Sequence, residues 1–335
     1  MLLTWAQFVV CVLIVFFAGT KVAKYGDVIA EKTGLGGLWI GVALLAVATS
    51  LPELFTGISA VALLKAPDLT VGDIFGSNAL NLLVVAVLDI AWRQGPLLTA
   101  ASPRHSLTAG LSLIIIAFPA ACLFVSPLGS QLAIGWIGIY TPIIFILYLL
   151  MVRMIFKFEK SRQPPSPSDA KPALKYGGIS MRRASLYYAV SALFIIGAGT
   201  WLAFIGTELA EVTGWGQSFV GSLFVAFTTS VPEIVVSFSA LRIGAVDLCV
   251  ANMIGSNLLN IAIIGVDDLF YTEGPILAAV SPSHVFTALT VILMTGIFIA
   301  GLVSQPQHKT PVKASWYSLA LIGVFLLGTY VNFVI

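Results

Sequence analysis

The chain contains the same pattern twice. Residues 18–60 align with 198–240 at an offset of 180, and 18 of those 43 positions are identical. Residues 66–105 align with 245–284 at an offset of 179, with 18 of 40 identical. AGTKVAKYGDVIAEKTGLG faces AGTWLAFIGTELAEVTGWG, GSNALN (76–81) faces GSNLLN (255–260), and SPRH (102–105) faces SPSH (281–284). Shared apolar composition would match Leu, Val and Ile. The matches here are Gly, Thr, Ser, Pro, Glu and Asn, which composition alone does not supply.

What solvent the repeats fold in follows from charge. Only 10% of the 335 residues are charged and 59% are hydrophobic, against about 25% charged in a soluble domain. A bilayer core needs roughly 20 apolar residues per helix, and ten segments qualify: 2–20, 38–64, 69–91, 106–126, 130–152, 185–207, 217–241, 247–267, 283–303 and 314–334. The expected fold is an all-α integral membrane protein of ten transmembrane helices, arranged as two five-helix repeats. Five is odd, so the second repeat enters the membrane from the opposite side, which is the inverted-repeat plan of secondary transporters. The boundaries are a first repeat at 1–156, a flexible tether at 157–184 holding Pro164, Pro165 and Pro167, and a second repeat at 185–335. With the tether in the cytoplasm, 16 of the 17 Lys and Arg residues lie inside and only Lys65 outside. The positive-inside rule then puts both termini outside, in a bacterial or archaeal inner membrane.

Several classes of function drop out. The basic residues are scattered between apolar runs, so no nucleic-acid partner is indicated, and no obligate protein partner is evident. Cys11, Cys122 and Cys249 sit in apolar runs at unrelated spacings and read as core residues. The apolar run at Val9–Ala18 leads to Lys21 and Lys24 and not to a small-residue cleavage site, so it reads as the first span. A membrane enzyme would need a nucleophile, paired aspartates or a metal cluster inside the membrane, and the one adjacent acid pair, Asp267 and Asp268, sits at a helix end with no partner motif. The expectation is therefore neither an enzyme nor a cofactor protein.

The chemistry lies in TSLPE (49–53) and TSVPE (229–233). Glu53 and Glu233 fall near the middle of spans, where a charge costs at least ~2.5 kcal/mol and marks a functional site. No Lys or Arg lies mid-span to pair with them, so cations or protons must neutralise them. Thr49 and Ser50 precede Glu53 by four and three residues, on its helical face, as Thr229 and Ser230 precede Glu233. Pro52 and Pro232 have no N–H to give the carbonyls of Ala48 and Thr228. Those oxygens become candidate ligands where the helix opens. Ser77 with Asn81, and Ser256 with Asn260, are i, i+4 pairs on the third and eighth spans, and Gly76 and Gly255 would let these helices approach the broken ones. Carboxylates, hydroxyls, amide oxygens and carbonyls are hard donors suited to Ca²⁺ and Na⁺, the inorganic cations expected as partners.

ATSLPEL with GSNALN, repeated as TTSVPEI with GSNLLN, resembles the α-repeats of the Ca²⁺:cation antiporter superfamily, sodium/calcium exchanger type. The resemblance spans both repeats. It implies exchange of Ca²⁺ for Na⁺ by alternating access, with Glu53 and Glu233 as central midplane ligands. Thr49, Ser50, Ser77, Asn81, Thr229, Ser230, Ser256 and Asn260 would support them. Ala48 and Thr228 stand where the family usually has Gly, and Asn260 where these exchangers often carry Asp. Exchange of H⁺ for Ca²⁺, or movement of Mg²⁺ or Mn²⁺, is the alternative.

Other matched residues carry smaller roles. His105 and His284 follow Ser-Pro at helix starts and read as part of capping structure. Asp89 and Asp268 are expected at helix ends, facing water, and Glu31 and Glu211 precede Thr-Gly turns. Asp73, one turn before Ser77 and aligned with Asn252, could line an ion entrance.

Overall fold

The computed structural model describes residues 1–32, 46–125, 132–161 and 178–335. In the first half, α1 spans Leu2–Lys32, α2 Leu51–Leu63, α3 Pro67–Ala91, α4 His105–Val125 and α5 Tyr140–Ser161. In the second, α6 spans Met181–Thr213, α7 Gln217–Thr229, α8 Val231–Arg242, α9 Val246–Phe270, α10 His284–Ser304 and α11 Trp316–Val334. Among the described residues, eight helices are long and apolar enough to cross a membrane. The pair α7 and α8, joined at a 47° bend, makes a ninth if the two form one broken span. Of the expected second span, 38–45 lie outside the described residues and α2 is the part that follows its break.

Two expected boundaries move. The fifth helix begins at Tyr140 and not near 130, because Gly135 turns the chain at φ 67° and pairs Ala133–Ile134 with Ile137–Gly138 as a small hairpin. Helix also occupies both ends of the stretch read as tether: α5 runs on to Ser161, and α6 begins at Met181, capped by Ser180 Oγ on the Arg183 amide. Residues 162–177, with Pro164, Pro165 and Pro167, lie outside the described residues.

The centre of the fold is α3 against α9. Inside each, 78% of the apolar window is buried, against 22% for α5 and 28% for α11. Small residues allow the neighbours in. A Cβ on Gly76 would lie 2.3 Å from the Ser222 carbonyl oxygen, and one on Gly221 would lie 2.5 Å from that of Leu69. So α3 and α7 meet backbone to backbone, where α7 widens into a π-helical turn at Gly221–Val225. Gly76 thus does what its sequence suggests. At Gly255, among the described residues, a Cβ would make an ordinary 3.7 Å contact with Ala46.

The halves interlock. α4 packs on α10, α5 on α9 and α11 on α3. Asp89 and Asp268, expected to face water, are instead fully buried. Asp89 accepts from the amides of Leu97 and Ser315 at 2.8 Å, the Ser315 hydroxyl at 2.9 Å, and those of Tyr317 and Ser318 at 2.7 Å. Asp268 accepts from the amides of Gly138 and Ile276 at 2.8 and 2.7 Å, and from the Tyr140 and Thr141 hydroxyls at 2.9 and 2.6 Å. Each carboxylate sits near the end of one half's third helix and gathers the first turn of the other half's fifth. Water is replaced by four or five fixed donors, which is what a buried carboxylate requires.

Candidate cation site

Both motif helices break at the same place. Ser50 and Ser230 leave helical geometry at ψ 13° and 0°, and Pro52 and Pro232 stand in the first turns of α2 and α8. Glu53 and Glu233 therefore occupy first turns, where free amides and the helix dipole favour negative charge. α1 and α6 lie over the two breaks. A Cβ on Gly19 would collide with the Pro232 ring at 2.4 Å, and one on Gly199 would come 3.1 Å from the Thr56 amide.

Every sequence-nominated residue is buried: Ala48, Thr49, Ser50, Glu53, Ser77, Asn81, Thr228, Thr229, Ser230, Glu233, Ser256 and Asn260. The second carboxylate draws on both halves. Glu233 Oε1 accepts from Ser50 Oγ and from Ser256 Oγ, each at 3.2 Å. By the repeat, Glu53 should accept from Ser230 and Ser77. It accepts from neither, and both its oxygens lack a hydrogen-bond partner. Ser77 is taken instead by Asp73, a buried third carboxylate where the second half has Asn252, while the Ser230 hydroxyl has no hydrogen-bond partner among the described residues. Asp73 Oδ1 takes the Thr229 hydroxyl at 2.9 Å and the Ser77 hydroxyl at 3.3 Å. Asp73 is thus in contact with nominated residues of both halves and is not an outlying entrance residue.

Asn81 and Asn260 divide their functions. Asn81 Nδ2 donates to Asn257 Oδ1 at 2.9 Å and Asn260 Nδ2 to Asn78 Oδ1 at 3.0 Å. Asn78 and Asn257 in turn donate to each other's carbonyls at 3.4 and 3.1 Å. The four amides lock α3 to α9 reciprocally and leave Oδ1 of Asn81 and Asn260 without donors. Asn78 and Asn257, the Asn of each GSN, escaped the sequence reading, although their identity at offset 179 was a signal. Thr49 donates to the Ala46 carbonyl and also lies within reach of the Glu233 carboxylate, whereas Thr228 donates to the carbonyl of Phe224.

The orphaned atoms here are of one kind. Both oxygens of Glu53, Oε2 of Glu233, Oδ2 of Asp73 and Oδ1 of Asn81, Asn252 and Asn260 are buried acceptors without donors. Only the Ser230 hydroxyl among them can also donate. An acceptor surplus of this kind is met by a cation. Among the described residues no three Asp, Glu, His or Cys groups converge closely enough to hold a metal alone. A cation held here would need hydroxyl, amide and carbonyl oxygens to share its coordination, as hard cations prefer.

Two sequence-related halves of apolar, membrane-length helices meet at a buried surplus of oxygen acceptors, which is the architecture of a membrane transporter. The chain belongs to the sodium/calcium exchanger protein family, which matches residues 3–154 and 184–335, one segment per half. It is 25% identical to the inner membrane protein YrbG of Escherichia coli over 339 residues, covering 99% of this chain and 95% of that protein. It is 26% identical to the sodium/calcium exchanger MaX1 of Methanosarcina acetivorans over 346 residues, covering 93% and 92%. In fold it is similar to the H⁺/Ca²⁺ exchanger CAX, with a TM-score of 0.70 at 12% identity, over 99% of this chain and 86% of that one. A sodium-calcium exchanger, NCX_Mj, superposes with a TM-score of 0.62 at 18% identity over 97% of both chains.

Proposed function

We propose that this protein is a secondary active antiporter exchanging Ca²⁺ for Na⁺, with Glu53 and Glu233 as the central ligands of a midplane site. One observation carries the reading: the buried oxygens around these residues are acceptors in want of a positive charge. Carboxylates out of water cost several kcal/mol each unless compensated, and a transported cation supplies the compensation. Ser50, Ser77, Thr229, Ser230, Ser256, Asn81 and Asn260 contribute neutral oxygens, Thr49 lines the same break, and Ala48 and Thr228 contribute the carbonyls that the prolines leave free. Asp73 joins them as a third carboxylate.

In this reading ten helices form two inverted five-helix repeats, with the tether cytoplasmic and both termini outside. α1 and α6 then slide together across the two proline breaks to open the site to one face at a time. The close seating of Gly19 on Pro232 and of Gly199 on Thr56 supports that arrangement. The sodium/calcium exchanger name of a full-length relative supports Na⁺ as the counter-ion. Fold similarity to a protein titled an H⁺/Ca²⁺ exchanger favours proton coupling as the second reading. Uptake of ⁴⁵Ca²⁺ into proteoliposomes distinguishes them. An outward Na⁺ gradient should drive Ca²⁺ inward against its own gradient, and a pH gradient of equal size without Na⁺ should not. Uptake driven by pH alone would replace Na⁺ with H⁺, and no uphill movement under either gradient would refute antiport.

A further inference from the structure

Asp267 and Asp268 are neighbours with opposite surroundings. Asp268 is held by four donors, as described above, whereas Asp267 is fully buried and neither of its oxygens has a hydrogen-bond partner. It stands in the last turn of α9, where the helix dipole adds negative potential. Its carboxylate lies against Gly57, one turn beyond Glu53 on α2: a Cβ on Gly57 would fall 2.6 Å from Asp267 Oδ2.

The repeat shows that this arrangement belongs to one half only. Asp267 aligns with Leu88, and Gly57 aligns with Ser237. The absent side chain at 57 leaves the room that the carboxylate at 267 occupies, so the two positions depart from the repeat together. The helices packed on α9 are α2, α3, α4, α5 and α8. The buried titratable groups on these helices are Glu53 on α2, Asp73 and Asp89 on α3, Tyr140 on α5 and Glu233 on α8, with Cys249 and Asp268 on α9 itself. None of these groups is basic.

We propose that Asp267 is a separate monovalent-cation position, holding one H⁺ or one Na⁺ beside Gly57, outside the Glu53–Glu233 site and without a counterpart in the first half. A buried carboxylate with no donor and only acidic neighbours needs one positive charge, and a proton or a sodium ion supplies it with the same sign and valence. The inference rests on reading the chain as a cation transporter, but its test uses no flux, so the two can fail separately.

The test is thermal unfolding of the full-length protein in lipid nanodiscs, comparing wild type with Asp267→Leu and Asp267→Asn. Na⁺ is varied against choline at fixed pH, and pH is varied in choline alone. Linkage of the midpoint to ion activity counts cations released on unfolding. Both variants should release one fewer than wild type, in the Na⁺ series if sodium is the occupant and in the pH series if it is a proton. Asp267→Leu installs the residue that the first half carries and should fold at least as well as wild type, because an apolar side chain replaces an unpartnered charge. Should neither variant fold, the carboxylic-acid carbonyl band of the wild type is read by infrared. A band from a buried aspartic acid that responds to pH or to Na⁺ supports the position. Equal counts in wild type and both variants, or no such band, overturn it.

Discussion

His284 Nε2 lies 2.9 Å from Asp68 Oδ1, and the repeat places His105 Nε2 3.0 Å from Asp247 Oδ1. Each histidine opens the fourth helix of one half and reaches the first turn of the other half's third helix. The preceding serines tighten the turn before each helix and do not cap it: Ser102 Oγ accepts the Arg104 amide and Ser281 Oγ the Ser283 amide, while Ser283, the N-cap of α10, makes no side-chain cap bond. The two ties differ in exposure, with side chains 0% and 29% accessible for His284–Asp68 but 13% and 56% for His105–Asp247. His284→Ala should therefore cost about 1.5–3 kcal/mol, the range for a buried hydrogen bond to a charged partner. His105→Ala should cost under ~1 kcal/mol, as exposed pairs do. Unfolding midpoints of the two variants measure this, and equal losses would show that burial is not what separates them.

Glu53→Gln and Glu233→Gln should each reduce Na⁺-driven Ca²⁺ flux to background while leaving the protein folded. Gln keeps the shape and removes the charge that has no basic partner among the described residues. Near-normal flux from either variant in a monodisperse preparation would remove that residue from the site.

The extent to which the site was legible depends on how local its signals are. Glu53, Glu233 and the proline breaks could be read because carboxylate, hydroxyls and proline lie within one helical turn and occur twice. The contacts of Asp73 could not, since Thr229 is 156 positions away on a helix of the other half. Its one local sign is the Asp-for-Asn departure from Asn252. Asp89 and Asp268 were misread because a linear map ends their helices at water. The chain returns after Gly95 and Gly274 to bring Leu97 and Ile276 amides back onto them, while α11 and α5 arrive from the opposite half. A hairpin of apolar residues before Tyr140 was likewise indistinguishable from helix by hydropathy.

Gly76 and Gly255 occupy equivalent positions in the two repeats, which yields a paired test. Gly76→Ala places a methyl group 2.3 Å from the Ser222 carbonyl, where backbone must move. It should cost at least the ~1–3 kcal/mol of an overpacked core and lower expression or flux sharply. Among the described residues Gly255→Ala meets only Ala46, at 3.7 Å, and should be tolerated. Fluorescence size-exclusion profiles and flux, taken side by side, check the pair, and equal sensitivity would contradict the backbone contact between α3 and α7.

Topology is tested independently of transport. Sixteen of 17 basic residues share one side if the tether is cytoplasmic. A cysteine at Ser166, within the undescribed stretch, should resist impermeant maleimide applied to intact cells and react after permeabilisation. Labelling from outside would invert the whole assignment.

The charge of the site sets the last prediction. Two glutamates alone balance one Ca²⁺ but leave one positive charge in excess when three Na⁺ bind. With Asp73 ionised as well, three Na⁺ balance the site and one Ca²⁺ leaves a single negative charge. Asp73→Asn restores the symmetry of the repeat and removes that charge. A unit charge at contact distance is worth about 1 kcal/mol in water and about 4 kcal/mol near a protein surface, so apparent Na⁺ affinity should fall tenfold or more. Asn260→Asp returns a carboxylate on the opposite helix, and in the Asp73→Asn background it should recover part of the loss. On its own it adds a fourth acid. Asn260 now donates to Asn78 Oδ1 at 3.0 Å, and only a protonated Asp could do the same. Exchange by Asn260→Asp should therefore become more pH-dependent than wild type, with protons competing against Na⁺ and Ca²⁺. Asn81→Asp should follow suit through Asn257 Oδ1. Na⁺-driven Ca²⁺ flux across about pH 5–9, a range reaching well above the ordinary carboxylate value, measures all four proteins. If Asp73→Asn matches wild type in both ion dependences, the third carboxylate is structural. If Asn260→Asp also keeps the wild-type pH profile, its amide serves only to join α9 to α3.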